Sequence, residues 1–271
     1  MLGSRRLDEI TTADVQALKS ALQEKSPKTV NNTISTLGKM LRVAVEWGVL
    51  DELPCRLRLL RYRPPEMSFY DFGDYAQLVG AATKLGQEEL IAVLLGGDAG
   101  LRCGEITALE WSDVNLPRGF ITVARSAWHG KVTLPKGGRS RRVPLTSALA
   151  AALKAHRAAS LLKGPRVLLA ERAGPASQKV LRTWMGAAQR RAGLKVNGNL
   201  HILRHTFCSH LAMRAAPAMA IKELAGHANL STTQRYMHLS PAAREDAIRL
   251  LDNRPRGGEG EADQHQSAAG Q

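Results

Sequence analysis

HILRHTFCSHLAMRAAPAMAIKELAGHANLSTTQRY, residues His201 to Tyr236, divides at Pro217 and Gly226 into three short helical segments. Positions three and four apart share a helix face, so His201, Arg204 and His205 project together. Leu200, Leu203, Phe207 and Leu211 form a separate apolar stripe that can anchor the helix while imidazole and guanidinium groups face elsewhere, a set suited to a phosphate. Gly226 stands where a helix C-terminus favours a left-handed residue, and His227 follows it. Ser231 and Gln234 have capping-box spacing, which predicts a helix starting at Thr232 with Tyr236 in its second turn. A tyrosine on a helix is usually a half-buried packing residue. Beside two histidines and an arginine, a short helix carrying one tyrosine can also deliver a nucleophile.

Outward from this stretch, the chain of 271 residues has room for about two domains. A formal charge of +14 and a pI near 10.2 make nucleic acid the leading partner. No amphipathic stretch joins a dense basic face to a broad aromatic one, which argues against a membrane surface. Cys55, Cys103 and Cys208 show no CxxC pairing or zinc-finger spacing, pointing to a reducing compartment without structural zinc. The N-terminus lacks an apolar signal region, and the longest apolar run, Leu90 to Leu95, is too short to span a bilayer. A soluble, cytoplasmic protein is expected.

Taken in order, Thr11 or Thr12 caps a first helix, and Ser26 with Pro27 opens a second that stops at Gly48, with Val30, Ile34, Leu37, Leu41 and Val45 on one face. Residues 1–55 are thus expected as a small helical domain. RLRLLRYRPPEM, residues 56–67, reads as a basic linker broken by Pro64 and Pro65. A larger domain spans 68–252. In it, DFGDYAQLVGAATKL, EELIAVLLGGDAG, SALAAALKAHRAAS and KVLRTWMGAAQRRAG are helical in pattern. Arg102 and Glu105, three apart at the start of a helix, are within pairing reach. FITVA, KVTLP and RRVPL are expected as three short strands, the last two joined by a hairpin through KGGRS that places Lys136 at its turn, with Lys131 a competitor for any role there. AAREDAIRLLD forms a closing helix, and 253–271 has the composition of a disordered tail.

GLRCGE around Arg102, PKGGRSRRVPL around Lys136, HILRH, LAGH ending at His227, and Tyr236 occur in an order and at intervals that resemble the tyrosine recombinase, or phage integrase, family. The resemblance covers about Ser68 to Asp252 and, more weakly, the helices before it. It implies a mainly helical α+β fold: a small N-terminal core-binding domain followed by a helical catalytic domain with a three-stranded antiparallel sheet, the two clamping DNA. Only Met1 to Arg6 precede the first helix here, so the family's usual leading helix is expected to be missing.

The implied activity is DNA integration and recombination by a mobile-element type of enzyme that cleaves and rejoins strands through a 3′-phosphotyrosyl intermediate. Double-stranded DNA is the implied partner, with a homotetramer on paired sites and accessory DNA-bending or directionality proteins. A type IB topoisomerase-like nicking-closing enzyme and an inactive DNA-binding remnant are the alternatives. Tyr236 would be the nucleophile. Its ordinary pKa near 10 leaves about one molecule in a thousand ionised at neutral pH, and cationic neighbours are expected to lower that barrier. Arg102 and Arg204 would hold the non-bridging oxygens of the scissile phosphate, and His201 and His227 would donate or shuttle protons. Lys136 would protonate the 5′ leaving oxygen if neighbouring arginines ease its proton release. Glu105 would orient Arg102 or a histidine, and His205 is expected to be structural. No cofactor, metal or ATP is implied, in keeping with a sequence that shows no P-loop and no two-metal acidic cluster.

Overall fold

The computed structural model describes residues 3, 5–62, 67–128, 130–159, 164–170, 174–239 and 248. The chain forms two compact units, Met1–Glu66 and Met67–Gln271. Pro64 and Pro65, nearly all of the expected closing helix and the expected tail lie outside the described residues.

In the first unit, helix α1 (Thr12–Ala21) is capped by Thr11, whose hydroxyl accepts from the Asp14 N–H while the Asp14 carboxylate accepts from the Thr11 N–H. Helix α2 (Pro27–Glu46) starts at the Ser26 cap and buries Val30, Ile34 and Leu41 with Ile10 and Val15. Residues 56–60, expected as a connector, run back along this unit. The Arg56 N–H donates to Thr12 Oγ1, and Asn31 exchanges two hydrogen bonds of 2.9 and 2.7 Å with the Leu60 backbone. A primary amide matches one peptide group donor for acceptor, so a buried Asn on α2 can hold an extended strand of chain without any ladder.

The second unit is built on α3 (Phe72–Thr83) and α4 (Gln87–Gly97). All residues of α4 from Ile91 to Gly97 are buried, as expected of a helix that is apolar on every side. Short α5 (Cys103–Ala108) follows a left-handed Gly100. Strands β1 (Val114–Asn115) and β2 (Phe120–Val123) lead to β3 (Ser126–Trp128), β4 (Lys131–Thr133) and β5 (Arg141–Pro144). Then come α6 (Ser147–Ala159), α7 (Gln178–Arg191), α8 (His201–Met213), α9 (Ala218–Ala225) and α10 (Leu230–Met237). Helix α4 packs against α3, α6, α7 and α8, and Leu203 of α8 sits fully buried on Gly96 of α4, where an added Cβ would come within 2.8 Å of its side chain.

The sheet corrects the strand pairing expected from the sequence. A three-stranded antiparallel sheet exists, but its order is β1-β2-β5, while β4 pairs with β3 in a separate hairpin turned at left-handed Gly130. Gly137 and Gly138, both at positive φ, serve a turn closed by the Gly138 N–H on the Pro135 carbonyl rather than joining two paired strands. Pro144, which has no N–H to give, lies in β5 at the edge of the sheet. Helix α10 also begins earlier than its capping-box spacing suggests. Asn229 is the N-cap, the Thr232 N–H bonds to its carbonyl, and Ser231 lies exposed in the first turn.

Because Leu203 fills the contact between α4 and α8, Leu203→Ala should cost about 2–5 kcal/mol of stability in urea unfolding. A cost below about 1 kcal/mol would mean that this contact is not a packed core.

Candidate active site

Helix α5 begins with a charged cap. The Arg102 N–H donates to Glu105 Oε2 at 2.9 Å, and Arg102 Nη1 donates to Glu105 Oε1 at 2.9 Å, so the pair expected from the i,i+3 spacing forms twice over. Arg102 Nη2 reaches across to the carbonyl of Gly226, 2.9 Å away. Glu105 is 1% exposed, and its remaining lone pairs accept from Arg141, Nη1 to Oε1 at 2.9 Å and Nη2 to Oε2 at 2.7 Å. Burial pushes the Glu105 carboxyl up, but the hydrogen bonds and charge of Arg141, followed by those of Arg102, override it and hold the pKa below its usual value.

Gly226 ends α9 in the left-handed conformation expected of it, at φ 65° and ψ 50°. That turn aims its carbonyl at Arg102 and sends His227 onward. A side chain at Gly226 would also meet Arg141 within 3.0 Å.

Arg204, on the buried side of α8 and 2% exposed, donates Nη1 to the Gly100 carbonyl at 2.7 Å. Its Nη2 is buried with no hydrogen-bond partner among the described residues. Burial and the neighbouring Arg102 charge bring its pKa down to about 10, so it stays cationic at neutral pH. A buried guanidinium donor left open is costly unless something anionic accepts from it.

Tyr236 is 2% exposed and lies between two imidazoles. Its hydroxyl is joined to His205 Nδ1 at 2.7 Å, and its ring is nearly parallel to that of His227, with centroids 6.2 Å apart and planes 4° apart. His227 Nδ1 is in turn bonded to Thr233 Oγ1 at 2.8 Å. Burial lowers both histidines to about 4, with His201 and Arg204 adding to the shift at His205, and Arg204, Arg102 and Arg141 adding to it at His227. The Tyr236 pKa moves opposite to the sequence expectation. Burial, then the adjacent Cys208, raise it above its ordinary value, and the charges of Arg204 and Arg235 only partly offset them.

His201, at the start of α8, lies edge-on to His205 with ring centroids 4.6 Å apart. Partial desolvation and the charges of Arg204, Arg102 and Lys136 lower its pKa. Lys136 is exposed in the glycine turn, and its charge reaches His201. Lys131 is exposed on β4, opposite Trp128.

The structure thus gathers Arg102, Glu105, His201, Arg204, His227 and Tyr236, with Lys136 at the edge. Sequence reasoning passed over Arg141 and gave His205 a structural role although it touches the Tyr236 hydroxyl. A signal for Arg141 was present: strand alternation puts it on the same face as buried Val143. His210 and His156 are buried and bonded to the carbonyls of Tyr70 and Val167.

A mainly helical unit with a small antiparallel sheet, carrying these groups at the start of α5, on α8, just past α9 and on α10, has the fold of a tyrosine recombinase catalytic domain. The family model for the phage integrase family matches residues 69–243. A tyrosine recombinase of Thermosipho africanus is 27% identical over 259 residues, covering 91% of this chain and 87% of the relative. Tyrosine recombinase XerC of Xanthomonas campestris is 28% identical over 243 residues, 88% of this chain and 72% of the relative. Among solved structures, the Tn1549 transposon integrase in complex with a circular intermediate DNA superposes with a TM-score of 0.78 at 19% identity, over 92% of this chain and 88% of that one, a likeness of fold. The chain belongs to the phage integrase family.

The low pKa values of His205 and His227 predict an acid-sensitive fold. Between their unfolded value of 6.5 and about 4, the unfolded chain binds protons that the folded protein refuses. Stability is therefore full above pH 6.5 and falls as the pH drops towards 4. Thermal midpoints measured across this range should decline, and His205→Gln or His227→Gln should flatten the decline. A slope unchanged in both variants would show that these imidazoles do not carry it.

Proposed function

We propose that the protein is a site-specific DNA recombinase that cuts and reseals duplex strands through a 3′-phosphotyrosyl intermediate on Tyr236. The observation that supports this most is the buried, unpartnered Nη2 of Arg204, whose charge acts on Tyr236 and is itself acted on by the neighbouring Arg102. A phosphodiester supplies the missing acceptor. Family membership and relatives named as tyrosine recombinases point the same way. The +14 charge suits a polyanionic substrate.

In the proposed reaction, Arg102 and Arg204 hold the two non-bridging oxygens and offset the charge that builds up on them. The bound anion also adds negative potential beside the histidines, making them better proton acceptors than in the empty site. The Tyr236 oxygen attacks phosphorus, and its proton passes to a neighbouring imidazole, with His205 already at hydrogen-bond distance. The bond from phosphorus to the 5′ oxygen breaks, and that oxygen takes a proton from Lys136. His201 and His227 supply further hydrogen bonds to the phosphate. Since the phosphotyrosine keeps one ester bond for each bond broken, a 5′ hydroxyl of another strand reverses the steps without an external energy source. Glu105 stays ionised and orients Arg102. On paired sites the protein acts as a tetramer, with accessory DNA-bending or directionality factors where the site requires them.

The test is trapping on nicked suicide duplexes drawn from the DNA flanking the gene. Wild type should form a covalent protein–DNA adduct, and Tyr236→Phe should form none. Lys136→Ala should slow its formation by about 10²-fold or more, and Lys131→Ala should leave it near the wild-type rate. An adduct surviving in Tyr236→Phe would remove the nucleophile assignment, and loss in Lys131→Ala alone would move the general acid to that residue. DNA binding without any wild-type adduct would identify an inactive binder.

A further inference from the structure

Arg141 has no part in the reaction just described, yet its guanidinium makes three hydrogen bonds beside the site. Its Nη1 and Nη2 grip both oxygens of Glu105, and its Nε donates to the Leu224 carbonyl at 2.8 Å. It thereby ties the edge strand β5 to the first turn of α5 and to the last turn of α9. The side chain is only 10% exposed and its carboxylate partner 0%, so this is no surface ion pair screened by solvent.

The two acceptors that aim Arg102 are Glu105 Oε1 and the Gly226 carbonyl. Arg141 holds both. It shares Oε1 with Arg102 directly, and it pins the α9 terminus two residues before Gly226 while packing where a Gly226 side chain would be. His227 follows that same turn. All three guanidinium nitrogens of Arg141 are engaged within the protein, which leaves it poorly placed to bind substrate itself.

We propose that Arg141 is a positioning residue, which aims Arg102 at the scissile phosphate by fixing Glu105 and the Gly226 carbonyl. This rests on the strand-cleavage reading above. Without Arg141, Glu105 keeps a single cationic partner and the α9 terminus loses its tie, so the Arg102 fork swings off the phosphate. A misplacement of about 1 Å in such a group lowers a rate by about 10²-fold.

The experiment compares wild type and Arg141→Met in single-turnover cleavage of two suicide duplexes, one with an ordinary scissile phosphodiester and one with a methylphosphonate there. A methyl group in place of one non-bridging oxygen removes the charge that Arg102 offsets, and with it the need for accurate aim. Arg141→Met should slow cleavage of the phosphodiester by about 10²-fold, and should slow the methylphosphonate by no more than about threefold relative to wild type on that same substrate. DNA affinity should be unchanged. Equal losses on both substrates, with wild type cleaving normally, would reduce Arg141 to a general structural support and overturn the proposal. No adduct from wild type on either duplex would overturn the cleavage reading and this proposal with it. If Arg141→Met does not fold, Arg141→Lys carries the same comparison, since an ammonium keeps the charge but cannot span both carboxylate oxygens and the Leu224 carbonyl together.

Discussion

The carboxylate of Glu105 is the point on which the site depends. A buried anion is costly, and it is tolerated only when its lone pairs are filled and its charge is matched. Here Arg102 and Arg141 do both, from two directions, with the Arg102 backbone N–H as a further donor. The consequence is geometric. One carboxylate sets the start of α5, the start of β5 and, through the other bonds of the two arginines, the turn at Gly226. Remove that charge and two part-buried guanidinium groups repel each other.

Around this anion the fold leaves an excess of positive charge that it does not neutralise. Arg204 is held on one nitrogen by the Gly100 carbonyl and is open on the other. Gly100 is at positive φ, and a side chain there would strike the Phe207 ring, so the turn that presents this carbonyl needs glycine. Burial first, and these cations second, keep the histidines neutral, and Tyr236 stays protonated in its buried berth against His205. In the proposed reaction, a phosphate would complete the set: it accepts from the open donor and offsets the cations that add to burial in keeping the imidazoles from taking a proton.

Much of this was legible from local spacing. The shared helix face of His201, Arg204 and His205, the left-handed Gly226 before His227 and the Arg102–Glu105 pair all follow from offsets of four residues or fewer. What was not legible depends on contacts distant in sequence. Arg139, Arg141 and Arg142 look alike until Val143 sets the strand's inward face. The partner of β4 was decided by a turn at Gly130 that brings Trp128 opposite Lys131, not by the more conspicuous pair Gly137 and Gly138. The direction of the Tyr236 shift was misjudged because charge can be counted in a sequence, whereas burial comes from α8 packing on α10.

The Glu105 carboxylate organises the arginines for the proposed strand cleavage, and Glu105→Gln tests this most directly, since it preserves shape while removing the charge and turning one doubly accepting oxygen into a donor. Single-turnover adduct formation on a suicide duplex should fall by about 10²-fold or more, while DNA affinity, with one negative charge fewer in the protein, is retained or increased. A folded Glu105→Gln protein that cleaves within about twofold of the wild-type rate would contradict the account.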